Sequence, residues 1–147
     1  MKFNINAKEE LNMQFLKLYL ITLVIFFLVD IVWLGVISKK LYREYLGHLM
    51  APNVNWPAAL IFYFLFIAGL VFFVISPAIE KESLMYAITV GAFFGLITYA
   101  TYDLTNLATL KDWPLNITII DLLWGTFLNA ATAGLTYFVA TSLFNIR

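Results

Sequence analysis

The sequence predicts an all-α polytopic membrane protein: an antiparallel bundle of four transmembrane helices, with a short interfacial amphipathic helix between helices 1 and 2. Of the 147 residues, 63% are hydrophobic and only 12% are charged, whereas about a quarter of the residues in a typical soluble domain are charged. The mean hydropathy is +0.87. A chain of this size leaves much of its surface exposed after folding, so we expect a lipid bilayer to cover the excess apolar surface.

Four apolar segments are long enough to cross a bilayer, which takes about 20 residues of α-helix. We predict transmembrane helices over residues 15–37, 57–76, 84–107 and 117–144. The short connections between the later helices make neighbouring helices antiparallel and put both termini on one side of the membrane. We expect residues 13–147 to form one domain and residues 1–12, which precede a second methionine, to be a polar N-terminal tail.

The long connection between helices 1 and 2 contains "SKKLYREYLGHLM". Leu41, Tyr45 and His48 fall on one helical face, which predicts a short amphipathic helix lying in the membrane interface. Basic residues at positions 39, 40 and 43 stand close to the end of helix 1. By the positive-inside rule they favour a cytoplasmic long loop.

Bulk composition excludes several classes of function. The formal net charge is zero and no basic tract is present, so nucleic acid is not an expected partner. The absence of cysteine excludes disulfides and thiolate metal sites. No Gly-rich phosphate loop or G-x-S-x-G motif occurs. We predict no cofactor; a divalent metal held by carboxylates and His48 is the alternative left open.

Three carboxylates stand inside the predicted transmembrane helices. Asp30 and Asp103 come shortly before the ends of helices 1 and 3, and Asp121 follows the start of helix 4. At 1.5 Å per residue, all three lie about 6–10 Å below the same membrane surface. Carboxylates inside a membrane are costly and often functional, so we predict one polar site in one leaflet, with Asp103 as its principal residue.

Helical spacing supplies neighbours for these carboxylates. The predicted ligand-binding or proton-carrying residues are Asp103, Asp121, Asp30, Asn106, Tyr99, Tyr102, Trp33, Trp124 and His48. Trp33 follows Asp30 by three residues, just as Trp124 follows Asp121. In antiparallel helices, each indole N–H then comes level with the carboxylate of the other helix, which predicts two Asp–Trp hydrogen bonds that fix the register.

Two further expectations concern packing. Helix 2, "PAALIFYFLFIAGLVFFVIS", has Tyr63 as its one sizeable polar group, so we interpret it as mostly a lipid-facing wall. The segment "GAFFG", Gly91 to Gly95, has the spacing that lets membrane helices approach closely. We expect it to pack within the bundle, and a homodimer through this face is the alternative.

The segments "LKLYLITLVIFFLVDIVWLGVI", "GHLMAPNVNWPAALIFY", "YATYDLTNLATLKDWP" and "DLLWGTFL" resemble a bacterial membrane protein family catalogued as domain of unknown function 2177. The resemblance extends from Met13 through nearly the whole chain. It implies a small multi-pass protein of the bacterial inner (plasma) membrane and implies no particular activity.

Three functional hypotheses remain open from the residues. The leading hypothesis is a protein that binds a small polar or cationic ligand or protons through the Asp cluster, and an extension of this hypothesis is that it also transports them. An alternative is a membrane-embedded enzyme acting on a lipid or lipid-soluble substrate, with Asp103 or Asp121 as general acid or base. A third is a structural or partner subunit in which the carboxylates only join helices.

Overall fold

A computed structural model describes residues 2–146, with side chains for residues 8–35 and 37–146. That part of the chain is helical and contains no strand. Its elements are α1 (Lys2–Val32), a π-helical segment (Trp33–Ile37), α2 (Ser38–Leu46), α3 (Trp56–Leu70), a second π-helical segment (Val71–Ile75), α4 (Ser76–Glu80), α5 (Leu84–Thr109) and α6 (Leu115–Leu143).

Four stretches of helix are long and apolar enough to cross a membrane, which confirms the predicted multi-pass helical fold. We call them spans 1 to 4: Lys8–Gly35, Trp56–Glu80, Leu84–Thr109 and Leu115–Leu143. With 25 to 29 residues, each is about 38–44 Å long, against a hydrocarbon core of about 30 Å.

The two ends of the bundle are distinct. At what we call the terminal end, Glu10 and Lys17 of α1 line a cleft together with residues 144–146, so the first and last parts of the described chain lie side by side. At the loop end, α1 continues into α2 and α5 connects to α6. Residues 2–12, expected to be a tail, are helical: residues 2–7 precede span 1 and residues 8–12 form its first turn.

Local sequence signals account for the helix starts. The Asn55 side chain accepts a hydrogen bond from the backbone N–H of Ala58, 3.3 Å away, just ahead of Pro57 in the first turn of α3. The Ser83 hydroxyl accepts one from the backbone N–H of Tyr86 at the start of α5. Both are ordinary N-caps. The second π-helical segment ends just before Pro77, which cannot donate a backbone hydrogen bond and crowds the carbonyl four residues earlier.

Spans 3 and 4 pack more extensively than any other pair of elements in the described chain. A Cβ atom added at Gly91 would lie 2.9 Å from the Ala133 Cβ atom, and one at Gly95 would collide with the carbonyl oxygen of Gly125. The glycines of "GAFFG" therefore let the two backbones touch within the bundle, as expected. The contacts also define the register of these two antiparallel helices. A position four residues further along α5 lies opposite a position four residues earlier on α6.

The interpretation of helix 2 as a lipid-facing wall was wrong for its second half. Seven residues in this half of span 2 are no more than 2% exposed: Ile67, Leu70, Val71, Val74, Ile75, Ala78 and Ile79. They form most of the apolar core, together with Leu18 of α1 and Leu128 of α6. A helix that is apolar all round gives no hydrophobic stripe to follow, so the sequence pattern did not reveal which side is packed.

We expect Gly95→Ala to destabilise the protein, because the methyl group would meet a backbone carbonyl that cannot move without separating α5 from α6. Overpacking of this kind costs about 1–3 kcal/mol, so thermal unfolding in detergent should occur several degrees lower. Gly35→Ala is the matched control, because a Cβ atom there has no neighbour within 4 Å. Equal unfolding temperatures for the two variants would contradict the close approach of the helices.

Candidate functional site

The register of α5 and α6 brings two of the predicted carboxylates together. The Tyr99 ring lies directly over Gly125, where a Cβ atom would collide with it. One turn further towards the loop end, Asp103 on α5 comes opposite Asp121 on α6. Both side chains line the same cavity, as the depth argument from the sequence predicts for this pair.

Asp103 is completely buried, at 0% exposure. Neither of its carboxyl oxygens has a hydrogen-bond partner in the described part of the chain. A buried polar group without a partner costs free energy, and a buried unpaired charge costs much more. Binding of a proton, or a hydrogen bond donated by a ligand, would therefore stabilise this carboxyl.

Asp121 has a different environment from Asp103. Its carboxyl accepts a hydrogen bond from the Tyr42 hydroxyl, with 2.6 Å between the two oxygens. Tyr42 belongs to α2, but the sequence analysis did not assign it to the face of that helix that holds Leu41 and Tyr45. All three side chains are half-buried. The buried Ser38, four residues before Tyr42, was the signal that Tyr42 also faces the protein.

The contact between Tyr42 and Asp121 requires a bend between α1 and α2. A straight helix would carry Tyr42 about 18 Å beyond Asp30 along the helix axis. Asp121 precedes Trp124 by only three residues, and Trp124 stacks on Trp33, just after Asp30. The π-helical segment Trp33–Ile37 lies where the chain has to turn, and such segments are frequent at functional sites.

Burial, and to a lesser degree the hydrogen bond and charge of Asp121, raise the pKa of the Tyr42 hydroxyl above tyrosine's ordinary value of 10.0. Tyr42 lies outside the four spans but is partly covered by them. It therefore remains a proton donor to Asp121 at physiological pH.

Asp30 lies beside this pair, in a second group of polar and aromatic side chains. It is 4% exposed, and the Tyr63 hydroxyl and the Trp124 indole both face its carboxyl. Tyr99 is within electrostatic reach of all three carboxyls, Asp30 included. Tyr63 therefore makes span 2 part of the site, contrary to its interpretation as a wall.

The two predicted Asp–Trp hydrogen bonds do not form as a reciprocal pair. The Trp124 N–H faces Asp30, but no contact is short and straight enough to be a hydrogen bond. Asp121 takes its proton donor from Tyr42 instead of Trp33. The two indoles do lie at the same depth, as predicted. The rings of Trp33 and Trp124 stack with their centroids 4.5 Å apart and their planes 8° from parallel.

The cavity at Asp103 has a volume of about 560 Å³. Its lining comes from α2, α3, α5 and α6 and consists of Tyr42, Phe62, Phe66, Thr98, Tyr99, Thr101, Tyr102, Asp103 and Asp121. The walls are thus mostly aromatic, with the polar groups converging at one side. A mainly apolar cavity of this size with a few convergent polar groups is typical of a small-molecule site.

The structure divides the predicted site residues into three sets. Asp103, Asp121, Tyr99 and Tyr102 line the cavity. Asp30, Trp33 and Trp124 form the adjoining group, and Asn106 is half-buried one turn from Tyr102 and Asp103. His48 is exposed beyond the end of α2 and does not reach the cavity. In the described chain, no three His, Asp or Glu side chains come together in a way that would hold a metal ion.

A row of polar atoms on α6 below the cavity was not among the predicted site residues. The Asn129 amide oxygen and the hydroxyls of Thr132 and Thr136 are fully buried without hydrogen-bond partners. By contrast, Thr126 and Thr141 on the same helix donate to the carbonyl oxygen four residues earlier. The spacing 125, 129, 132, 136 continues the face of Asp121, which was the signal that could have identified the row.

A larger cleft of about 740 Å³ lies at the terminal end, between α1 and the end of span 2. The polar side chains that line it include Asn12, Gln14 and Glu80, which are exposed or half-buried. Water can satisfy such groups, so we place the candidate site at the smaller cavity with its buried carboxyls.

Comparison with known proteins identifies a family. A family model described as "Predicted membrane protein (DUF2177)" matches residues 15–138, which is most of the chain. No curated protein and no solved structure matches the sequence.

We expect Tyr42→Phe to lower the unfolding temperature at neutral pH, because Asp121 would lose a donor worth about 1.5–3 kcal/mol. Tyr45→Phe, a change on the same helix, is the control and should have the smaller effect. The raised pKa of Tyr42 in the folded protein gives stability that is complete below about pH 10 and is lost progressively at higher pH.

Between about pH 9 and about pH 11, on either side of the usual tyrosine pKa, the native protein should therefore lose more stability than Tyr42→Phe. Unfolding temperatures measured across this range test the difference. An identical alkaline loss in both proteins would mean that folding does not raise the pKa of the Tyr42 hydroxyl.

Proposed function

Because the chain belongs to the DUF2177 family of predicted membrane proteins, we propose that it binds a small cationic or hydrogen-bond-donating ligand at a site inside the bilayer. The observation that carries the proposal is the Asp103 carboxyl, fully buried in the wall of a cavity with both oxygens unpartnered. A carboxyl that only joined helices would be expected to have a donor from the neighbouring helix.

Charge supports a cation or an N–H donor over an anion. Asp103 and Asp121 face one cavity, and two neighbouring carboxyls repel an anion and attract a positive charge. The aromatic rings of Phe62, Phe66 and Tyr99 add to this preference, because ring faces attract cations in a desolvated site. An ammonium group has three donors, enough to satisfy both oxygens of Asp103 and one of Asp121.

We place the protein in the bacterial inner membrane, with the loop end in the cytoplasm. The exposed side chains of Lys39, Lys40 and Arg43 at that end support this orientation. Labelling of a Lys40→Cys variant by an impermeant maleimide added outside intact cells would contradict it.

A second candidate function is the movement of protons, and the unpaired row on α6 favours it. Asn129, Thr132 and Thr136 extend the polar surface about 22 Å from Asp121 towards the terminal end. Inside a protein, such unsatisfied groups are commonly bridged by buried water. A hydrated row ending at two carboxyls would carry protons to and from the ligand site.

The binding proposal predicts that Asp103→Asn abolishes ligand binding while leaving a folded protein, because the amide keeps the shape of the carboxyl and loses its charge. Butylamine should raise the unfolding temperature of the native protein in detergent, and butanol should not, since a ligand that binds only the folded state stabilises it. Asp112→Asn, in the exposed turn before α6, is the control and should keep the butylamine effect. Stabilisation by butylamine that survives Asp103→Asn would rule out Asp103 as the binding carboxyl.

The proton candidate predicts a flux across liposomes that depends on the buried hydroxyls. Thr132→Val removes an unpaired hydroxyl and keeps the side-chain shape, so the flux driven by a potassium gradient with valinomycin should fall about tenfold or more, as expected for a broken relay. Thr141→Val removes a hydroxyl that is bonded within its own helix and should leave the flux unchanged. A native flux no greater than that of empty liposomes would eliminate this candidate, and the binding proposal would stand.

A further inference from the structure

The cavity lies between spans 2 and 3, where the two helices separate towards the loop end. Near the terminal end, α5 packs against α4 and against the π-helical segment Val71–Ile75. The rings of Phe66 and Phe94, 5.6 Å apart, join the two spans about halfway along. Above that contact, α3 packs against α1, and the cavity occupies the space between α3 and α5.

This space opens sideways, in the direction of the lipid. Phe62 on α3 is 56% exposed and Tyr102 on α5 is 59% exposed, and both line the cavity. Thr101, on the same side of α5, is also exposed. Because these residues belong to spans that cross the hydrocarbon region, their exposed surface contacts lipid chains. A ligand dissolved in the bilayer would reach the cavity between the two spans without crossing the bundle.

The lining changes character with depth. Asp103 and Asp121 each stand six residues from the loop end of their helices, a depth of about 9 Å. Phe66 and Thr98 stand about 15–16 Å deep. Both carboxyls thus lie in the shallow part of the cavity, near the lipid headgroups, and no charged side chain lines the deep part. An amphiphile in the same leaflet has the same arrangement, with its polar head towards the surface and its apolar chain below.

From these features, and resting on the proposed function, we infer that the ligand is a lipid-soluble amine that reaches the site from the bilayer between spans 2 and 3. Its ammonium group binds Asp103 and Asp121, and its apolar body lies between Phe62 and Phe66. The Asp103 oxygens are fully buried, so a lining side chain has to rotate when the ligand binds. The volume of about 560 Å³ is sufficient for a compact alkyl or aromatic amine.

The test uses the full-length protein in phosphatidylcholine nanodiscs, with radiolabelled n-octylamine, n-octanol and n-propylamine as probes. Equilibrium dialysis measures each probe retained by protein-containing discs after subtraction of the amount retained by empty discs. Thr98→Phe fills the deep part of the cavity and should lower the affinity for octylamine at least tenfold. The affinity for propylamine should change less than twofold, because its short chain does not extend that deep.

Thr105→Phe is the matched control. Thr105 lies on the same helix and its hydroxyl donates to its own helix backbone, as that of Thr98 does, but it does not line the cavity. This variant should bind octylamine within twofold of the native protein. The comparison of octylamine with propylamine in the native protein provides a test that needs no variant: octylamine should bind at least tenfold more tightly.

The outcomes distinguish this inference from the proposed cation-binding function on which it rests. Octylamine binding that is unaffected by Thr98→Phe, or propylamine binding as tight as that of octylamine, would overturn the inference that a lipid-soluble amine lies between spans 2 and 3. If Asp103→Asn still abolished binding in that case, the proposed cation site would stand. Octanol bound as tightly as octylamine, with no effect of Asp103→Asn, would overturn both.

Discussion

The backbone contact between α5 and α6 is the constraint on which the rest of the structure depends. Lipid chains are as apolar as the side chains of the helices, so close packing, rather than the hydrophobic effect, holds membrane helices together. Gly91, Gly95 and Gly125 permit that packing, and in doing so they allow one register only. A shift of one residue along α6 would turn Asp121 by about 100° around its helix and away from Asp103. The stability of the bundle and the geometry of the cavity therefore have the same origin.

The two carboxyls that meet through this register are not equivalent. Asp121 is held by Tyr42 from outside the transmembrane bundle, whereas Asp103 has no partner. Pairs of ionisable groups in contrasting environments commonly divide their roles. Asp121 ties α2 to the site and Asp103 is left for a ligand, so the interfacial helix and the binding cavity are connected through a single hydrogen bond.

The sequence was sufficient for the four spans, the common depth of the carboxylates and the packing role of "GAFFG". Each depends on position along a helix, which residue counting supplies directly at 1.5 Å per residue. The sequence was insufficient for features that depend on which helices pack against each other. The second half of span 2 is apolar on every side, so nothing in its pattern showed that Val71 and Val74 are core residues. Tyr42 was missed because the bend that brings it to Asp121 occurs in a π-helical segment, where regular helical spacing no longer applies.

The contact between Phe66 and Phe94 divides span 2 into two halves that are packed differently. Its terminal half is locked into the core, where side chains are fully enclosed, and its loop half borders the cavity on one side and lipid on the other. A displacement of α3 outward would pivot about the phenyl contact and would leave the packing below it intact. The width of the cavity therefore depends on the position of this half of span 2, in which no residue from 56 to 66 is fully buried. We expect such a site to accept bound molecules of different widths more readily than molecules of different charge.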